Sequence, residues 1–538
     1  MHDSFSIYIL LLLIILFLVM LAQRLKVSYP IVLVLGGLAL SFFPGLPEIK
    51  IDPELIFVIF LPPLLYEAAW QTSWKEFWKW RRVITSFAFL IVILTSCVIA
   101  VVSSNLIPGF TLALGFLLGG IISPPDAVSA TSILKTIKVP RRVVSIIEGE
   151  SLLNDASSLI VFRFAIAAVD SGKFVFREAA ASFFIVIIMG ILTGVLIALI
   201  FYAIHRWLPT TANINILLTF IAPYVMYIVA EQFHFSGVLA VVSGGLFLSN
   251  RSHVILDHRS RLRGENVWST IGFALNGIVF MLIGLELPII VSQLGGVSLY
   301  DGIRYGLIIA AVLILVRLLS TLGASVFTRV ISKVITTADS NPGWRGPLIF
   351  GWAGMRGVVS LAAALSIPLY LSSGEAFPQR NLILFITFIV ILVTLVFQGL
   401  TLPWVVKWVN MEDPDSNMSR EQQEIVVQKK LSIAALKVLN ERYADEVSKN
   451  EILQSIKAKH AGHLRLFESK LAEGGNLPIT SSESDYLNIV TDVINEQRSV
   501  LQQLNKKQEV DETIIRKYNG LLDMEEENFN VRFKGEVE

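Results

Sequence analysis

Apolar stretches recur thirteen times between residue 6 and residue 408, and a helix that crosses a bilayer needs roughly 20 apolar residues. Their limits are 6–22, 29–43, 54–71, 82–107, 110–134, 145–169, 180–205, 214–232, 236–250, 266–290, 299–328, 346–372 and 381–408. The first has no basic segment before it and no small-residue cleavage site after it, so it reads as a span and not as a secretory leader. At 538 residues the length would allow three or four soluble domains. With 54% hydrophobic and 16% charged residues the composition excludes that, since soluble domains carry about 25% charged residues. The predicted fold class is an all-α polytopic membrane protein, with residues 1–409 as the membrane domain.

Charge is split between the two parts of the chain. Residues 1–409 hold 27 Lys+Arg and 19 Asp+Glu, a net +8. Residues 410–538 hold 17 and 24, a net −7. Nothing here resembles the concentrated basic surface that nucleic-acid binding requires. The one cysteine, Cys97, excludes a disulfide framework, a cysteine zinc site and a haem motif. No cofactor is expected. With the N-terminus outside, the inner loops hold eighteen Lys and Arg and the outer loops five. Lys and Arg collect on the cytoplasmic side, so the bias sets the orientation and puts the acidic tail in the cytoplasm of a cell-membrane protein. Trp70, Trp74, Trp78 and Trp80 beside Lys75 and Arg81 read as an interfacial anchor.

The tail, 410–538, reads as a small helical domain. Helical periodicity runs through Ile425, Leu431, Leu436 and Leu439, and again through Leu487, Ile494, Leu501 and Leu504. Asp413-Pro414-Asp415 ends the last span, and Gly474-Gly475-Asn476 with Pro478 marks a break. Binding of a regulator, a dimer contact and a passive solubilising role all remain open for it.

Weak internal similarity relates spans seven apart. Gly36-Gly37 in the second matches Gly244-Gly245 in the ninth, and Tyr66-Glu67 in the third matches Leu285-Glu286 in the tenth. An odd offset reverses orientation, so the pattern predicts two inverted six-helix repeats joined by one helix, a common transporter plan. The fifth span contains Ser123-Pro124-Pro125-Asp126 and the twelfth Gly351-Trp352-Ala353-Gly354-Met355-Arg356-Gly357. Proline removes a backbone donor and clashes with the preceding turn, so both spans are expected to unwind mid-membrane, again seven apart. A proline kink with glycines for close packing is the plainer alternative. The glycines do not form a dinucleotide fingerprint, because no strand precedes them.

Nine ionisable residues fall inside spans: Glu67, Asp126, Glu150, Asp155, Arg163, Glu231, Glu286, Arg317 and Arg356. At about 2.5–3.5 kcal/mol each, lipid exposure would cost roughly 20–30 kcal/mol, so they pair or line a hydrated path. Six acids against three bases suit a cation. At a helix break Asp126 can neutralise an N-terminal dipole end and Arg356 a C-terminal one; a transport role is equally open for both. Ser151 and Asp155 are i and i+4 and share a helix face, with Glu150 and Asn154 beside them. A hydroxyl and a carboxylate one turn apart make half an oxygen cage for a small hard cation, and the carboxylate can hold a proton instead. A structural polar lock is the alternative for Asp155. Glu67 could complete the cage; Glu231, Glu286, Arg163 and Arg317 read as structural partners.

The run Glu148-Gly149-Glu150-Ser151-Leu152-Leu153-Asn154-Asp155, with Ser123-Pro124-Pro125-Asp126-Ala127-Val128 and Gly354-Met355-Arg356-Gly357, resembles the sodium/proton exchangers of the monovalent cation:proton antiporter family, NhaP-like branch. The resemblance covers residues 5–410. It implies a homodimer with a dimerisation domain and a mobile six-helix core. It implies Asp155 as the shared cation/proton carboxylate, Ser151 and Glu67 as further ligands, Asn154 as an orienting group, a Glu150–Arg356 ion pair, and one-for-one exchange of Na+ (or Li+ or K+) for H+. Relatives commonly carry threonine before the unwound-segment aspartate and proline after it; here Pro125 and Ala127 stand there, so one hydroxyl ligand is missing and only the Pro125 carbonyl remains. A channel, a sodium-coupled organic-anion symporter and an ion sensor are the rival functions.

Overall fold

The computed structural model describes residues 2–43, 58–137, 139–172, 176–294, 297–334, 339, 341–411, 420–472, 481–506 and 512–533. The start of the third span (54–57), Lys50, Lys138, Lys173 and the tail breaks at 413–415, 474–476 and 478 lie outside the described residues. The chain forms two compact units, Met1–Asp413 and Pro414–Glu538.

In the first unit the helices are α1 (His2–Leu25), α2 (Tyr29–Leu40), α3 (Leu61–Gln71), α4 (Trp74–Leu106), α5 (Leu112–Ile122), α6 (Ala127–Leu134), α7 (Arg141–Ser171), α8 (Phe176–Trp207), α9 (Ala212–Gln232), α10 (Gly237–Ile255), α11 (His258–Leu285), α12 (Leu299–Ile331), α13 (Arg345–Trp352), α14 (Val358–Leu365) and α15 (Arg380–Val409). Among the described residues nine helical segments are long and apolar enough to cross a membrane, counting α5 with α6 as one. The protein is a multi-pass membrane protein. Its outer surface keeps large apolar side chains such as Phe17, Leu192, Leu196 and Leu319 exposed, where a soluble monomer would not carry so continuous an apolar surface.

Both expected breaks are present. α5 stops at Ile122 and α6 starts at Ala127; α13 stops at Trp352 and α14 starts at Val358. Helix pairing also follows the offset of seven. A Cβ at Gly37 on α2 would lie 2.4 Å from the Met281 carbonyl oxygen and 3.2 Å from Gly284 Cα on α11, and one at Gly245 on α10 would lie 3.0 Å from Ala69 Cβ on α3. The second span thus packs on the tenth as the ninth packs on the third. Likewise a Cβ at Gly119 on α5 would lie 2.7 Å from the Ser96 carbonyl oxygen on α4, and one at Gly351 on α13 2.8 Å from the Leu318 side chain on α12. The fourth and fifth spans pair as the eleventh and twelfth do.

Two long spans carry a π-helical turn, Ser86–Ile91 in α4 and Thr394–Gln398 in α15. Such turns free backbone groups and side chains to serve neighbours. Here the Ala88 carbonyl accepts from Ser157 Oγ on α7 at 2.5 Å, Thr394 Oγ1 accepts from Arg356 N at 3.1 Å, and Gln398 Nε2 donates to the Trp352 carbonyl at 3.0 Å.

The second unit is helical over Arg420–Glu441, Ala444–Lys449, Glu451–Ala472, Ser481–Lys506 and Glu512–Phe533. Lys429 pairs with Glu468 at 3.2 Å, and Arg498 bridges Asp523 and Glu526 at 2.6 Å each. Ile494 is buried as its periodicity predicts, but Leu431 is exposed and Ser432 is buried beside it. Ile425, Leu436 and Leu439 are half-buried, so of the four positions expected on the apolar face of the first tail helix Leu431 alone falls off it.

Candidate ion-binding site

The site is built where the two broken helices meet. Asp126 caps α6: its Oδ1 accepts from Val128 N at 3.1 Å, and its Oδ2 accepts from Ser129 N at 3.3 Å and Ser129 Oγ at 2.6 Å. A carboxylate at an N-terminus meets partial positive charge and orphan N–H groups, which stabilises both. Arg356 takes the opposite end. Its Nε donates to the Ile122 carbonyl, the last turn of α5, and its Nη1 to the Gly354 carbonyl, both at 2.5 Å. The backbone joins the breaks a third time, with Asp126 N donating to the Met355 carbonyl at 2.8 Å.

α7 runs past this crossing and presents its polar face. Ser151 Oγ accepts from Ala127 N at 3.3 Å, and Asn154 Nδ2 donates to the Pro125 carbonyl at 2.9 Å. That carbonyl, the expected substitute for a missing threonine ligand, is thus already engaged. Asp155 is 6% exposed. It borders a cavity of about 390 Å³ together with Ser151, Asp126 and Glu67. These four site residues share one space. Asn154, Glu150 and Arg356 do not line it. Glu67, on α3, accepts from Gln71 Nε2 at 3.1 Å and faces α11 so closely that a Cβ on Gly272 would lie 1.6 Å from Glu67 Oε2.

Glu150 is not paired with Arg356. Its carboxylate is held bidentately by Arg317 on α12, Oε1 to Nη1 at 2.5 Å and Oε2 to Nη2 at 2.7 Å, with exposures of 1% and 2%. Arg356 uses its Nε and Nη1 on carbonyls beside the breaks and keeps its Nη2 buried without a partner among the described residues, whereas the Arg317 guanidinium meets the Glu150 carboxylate in two-point geometry. Arg163 pairs with Glu231, and Glu231 also accepts from Gly237 N at 3.1 Å. Thr394, Gln398 and Ser157, which hold the second break and α7, escaped the sequence reading; polar side chains at 394 and 398, one turn apart inside an apolar span, were the available signal.

The cavity runs from Asp155 toward Lys135 and Glu148, beside the α6–α7 connection, one of the Lys/Arg-rich loops. Away from that loop Phe60, Ile283, Leu361 and Leu365 close around a void of about 10 Å³, at the limit for a single water. Among the described residues no three His, Cys, Asp or Glu side chains cluster as a resident metal site would. Carboxylates mixed with a hydroxyl suit a hard cation that must also leave.

A fold of broken, crossed helices around a buried carboxylate defines a secondary transporter. The chain matches the transmembrane sodium/hydrogen exchanger family over residues 9–408 and belongs to it. An uncharacterised Na+/H+ exchanger from Mycobacterium tuberculosis is 28% identical over 515 residues, 94% of this chain and 92% of the relative. A sodium, potassium, lithium and rubidium/H+ antiporter from Bacillus subtilis is 36% identical over 381 residues, 69% and 56% of the two chains. The solved sodium proton antiporter MjNhaP1 from Methanocaldococcus jannaschii shares the fold with TM-score 0.59 at 17% identity, over 77% of this chain and all of that one.

Proposed function

We propose that the protein exchanges Na+ for H+ across the cell membrane, with cation and proton competing for Asp155. The observation that carries this reading is one cavity, bordered by Asp155, Ser151, Asp126 and Glu67, that extends to Lys135 and Glu148 beside the α6–α7 connection. The paired breaks seven spans apart favour a transporter over a channel, and an organic anion would gain nothing from a space bordered by the four carboxylates of Glu67, Asp126, Glu148 and Asp155. Asp155 gives up its proton and accepts the cation with Ser151 Oγ. Asp126 keeps free lone pairs beyond its capping bonds, and Glu67 closes the set from α3. One proton exchanged for one monovalent cation moves no net charge, so turnover is electroneutral. Access alternates: the present arrangement faces the Lys/Arg-rich side, placed in the cytoplasm with the tail. Li+ and K+ enter as secondary substrates, as the name of the Bacillus relative suggests. The working form is a homodimer, and the tail is a site for a regulator.

The test is proton movement in proteoliposomes on addition of each cation, with membrane potential recorded together. Sodium-driven proton efflux without a voltage is expected. Conduction without coupled protons would establish a channel instead, and a turnover voltage would refute one-for-one exchange.

A further inference from the structure

A second cavity, about 690 Å³ and separate from the ion site, lies between α4, α7, α12 and α13. Its buried walls are apolar, formed by Phe87, Ile146 and Phe350, with the half-buried Ile331 and the exposed Phe327 also lining it. Its edge is basic: among the described residues that line it, Lys79, Arg81, Arg82 and Arg142 stand with one acid, Asp339. Arg142 pairs with Asp339 at 3.1 Å, and the Arg81 guanidinium lies 4.5 Å from the Trp78 ring centroid. Arg81 uses one donor on the Trp78 carbonyl, out of the five a guanidinium carries.

The tryptophan run does not act as one anchor. Trp74 and Trp78 are exposed and stacked with centroids 5.7 Å apart, whereas Trp80 is buried against this cavity and its indole N–H has no acceptor. Exposed tryptophans mark the membrane–water interface. The basic edge is therefore at headgroup level, and the apolar depth is at acyl level.

We infer that this cavity binds an anionic phospholipid, with Lys79, Arg81 and Arg82 at its phosphate and its acyl chains against Phe87, Phe327 and Phe350. Basic pockets between membrane helices on the positively charged face suit such headgroups, and Lys and Arg are the phosphate-binding side chains. The lipid would also brace the buried ion pair behind the ion site. Phe87 lies 6.0 Å from the Arg317 guanidinium carbon and packs edge-on to Phe350 at 5.8 Å, and Thr321 follows Arg317 by one turn on α12. The inference depends on the membrane setting and not on which ions are exchanged.

The experiment is thermal unfolding of the purified full-length protein in detergent, titrated with phosphatidylglycerol, with phosphatidylcholine of the same chains, and with inorganic phosphate. Stabilisation that saturates with phosphatidylglycerol alone is expected. Equal stabilisation by phosphatidylcholine, or by phosphate without a lipid, overturns the proposal. Lys79→Gln/Arg82→Gln should weaken the phosphatidylglycerol response about tenfold or more in apparent affinity. Arg259→Gln/Arg263→Gln, on another loop, should leave it unchanged. A wild-type response in the first variant also overturns the proposal. Should that variant fail to fold, brominated-chain phosphatidylglycerol serves on its own: it should quench the wild type more than Trp80→Phe, and equal fractional quenching sinks the site.

Discussion

Truncating Glu150 to alanine should cost stability because it strands Arg317. The pair is closed by two hydrogen bonds of 2.5 and 2.7 Å at almost no exposure, so solvent screens it little. Breaking such a pair from one side costs about 3–5 kcal/mol, because the remaining charge is left buried and uncompensated. At 1.4 kcal/mol per decade that is about two to four powers of ten in the folded-to-unfolded ratio. Arg317→Ala should cost a similar amount. Glu150→Ala/Arg317→Ala should cost less than the sum, with about 0.5–3 kcal/mol of coupling, and Glu150→Leu/Arg317→Met should recover most of the loss because an apolar pair of similar volume removes the desolvation penalty. SDS-driven unfolding of the purified variants, followed by near-ultraviolet circular dichroism, reads these differences. A parallel cycle with Arg356→Ala tests the assignment of partner. Strict additivity between Glu150 and Arg317, or a larger coupling between Glu150 and Arg356, would refute the reasoning.

Asp155→Asn should fold and melt like the wild type yet show no sodium-dependent proton movement; robust exchange by the purified variant ends its role as carrier. Gly272→Ala places a methyl on Glu67 and should push that carboxylate out of the cavity, raising the apparent sodium KM with the fold intact, whereas an unchanged KM removes Glu67 from the ligand set. Gly357→Ala sets a Cβ 2.5 Å from Asp126 Oδ2, where the carboxylate is fixed by three capping bonds, and overpacking of this kind costs about 1–3 kcal/mol; a wild-type melting temperature would show that the break relaxes freely. Acidification adds the proton that must leave before a cation binds, so below the site's pKa the apparent sodium KM should rise about tenfold per pH unit. Saturating sodium should restore the full rate, and a maximal rate that collapses at acid pH whatever the sodium would point to a separate pH sensor.

The breaks were legible because proline and glycine act locally: Pro124-Pro125 and the three glycines around Arg356 interrupt a helix in any surroundings. The Ser151–Asp155 face was legible because one turn of helix fixes it. The partner of Glu150 was not, since Arg317 stands 167 residues away and only the packing of α12 on α4 and α13, which brings it within reach of α7, decides between two buried arginines. The engagement of the Pro125 carbonyl by Asn154 was hidden for the same reason. Trp80 looked like its neighbours in composition, and only the turn of α4 separates it from them.

The bonds that tie one break to the other have a kinetic meaning. Asp126 N to Met355 and Arg356 to Ile122 make the crossing a single stitched object, and α7 is sewn to it through Ser151 and Asn154. On the alternating-access cycle proposed above, three of the four groups around the cavity travel together and present the same oxygens to either face. Glu67 is held on a different helix, α3, which packs against α10. Any asymmetry between sodium affinity at the two faces then originates in one side chain, and removing the Glu67 carboxylate should make the exchanger bind its cation equally well from either side.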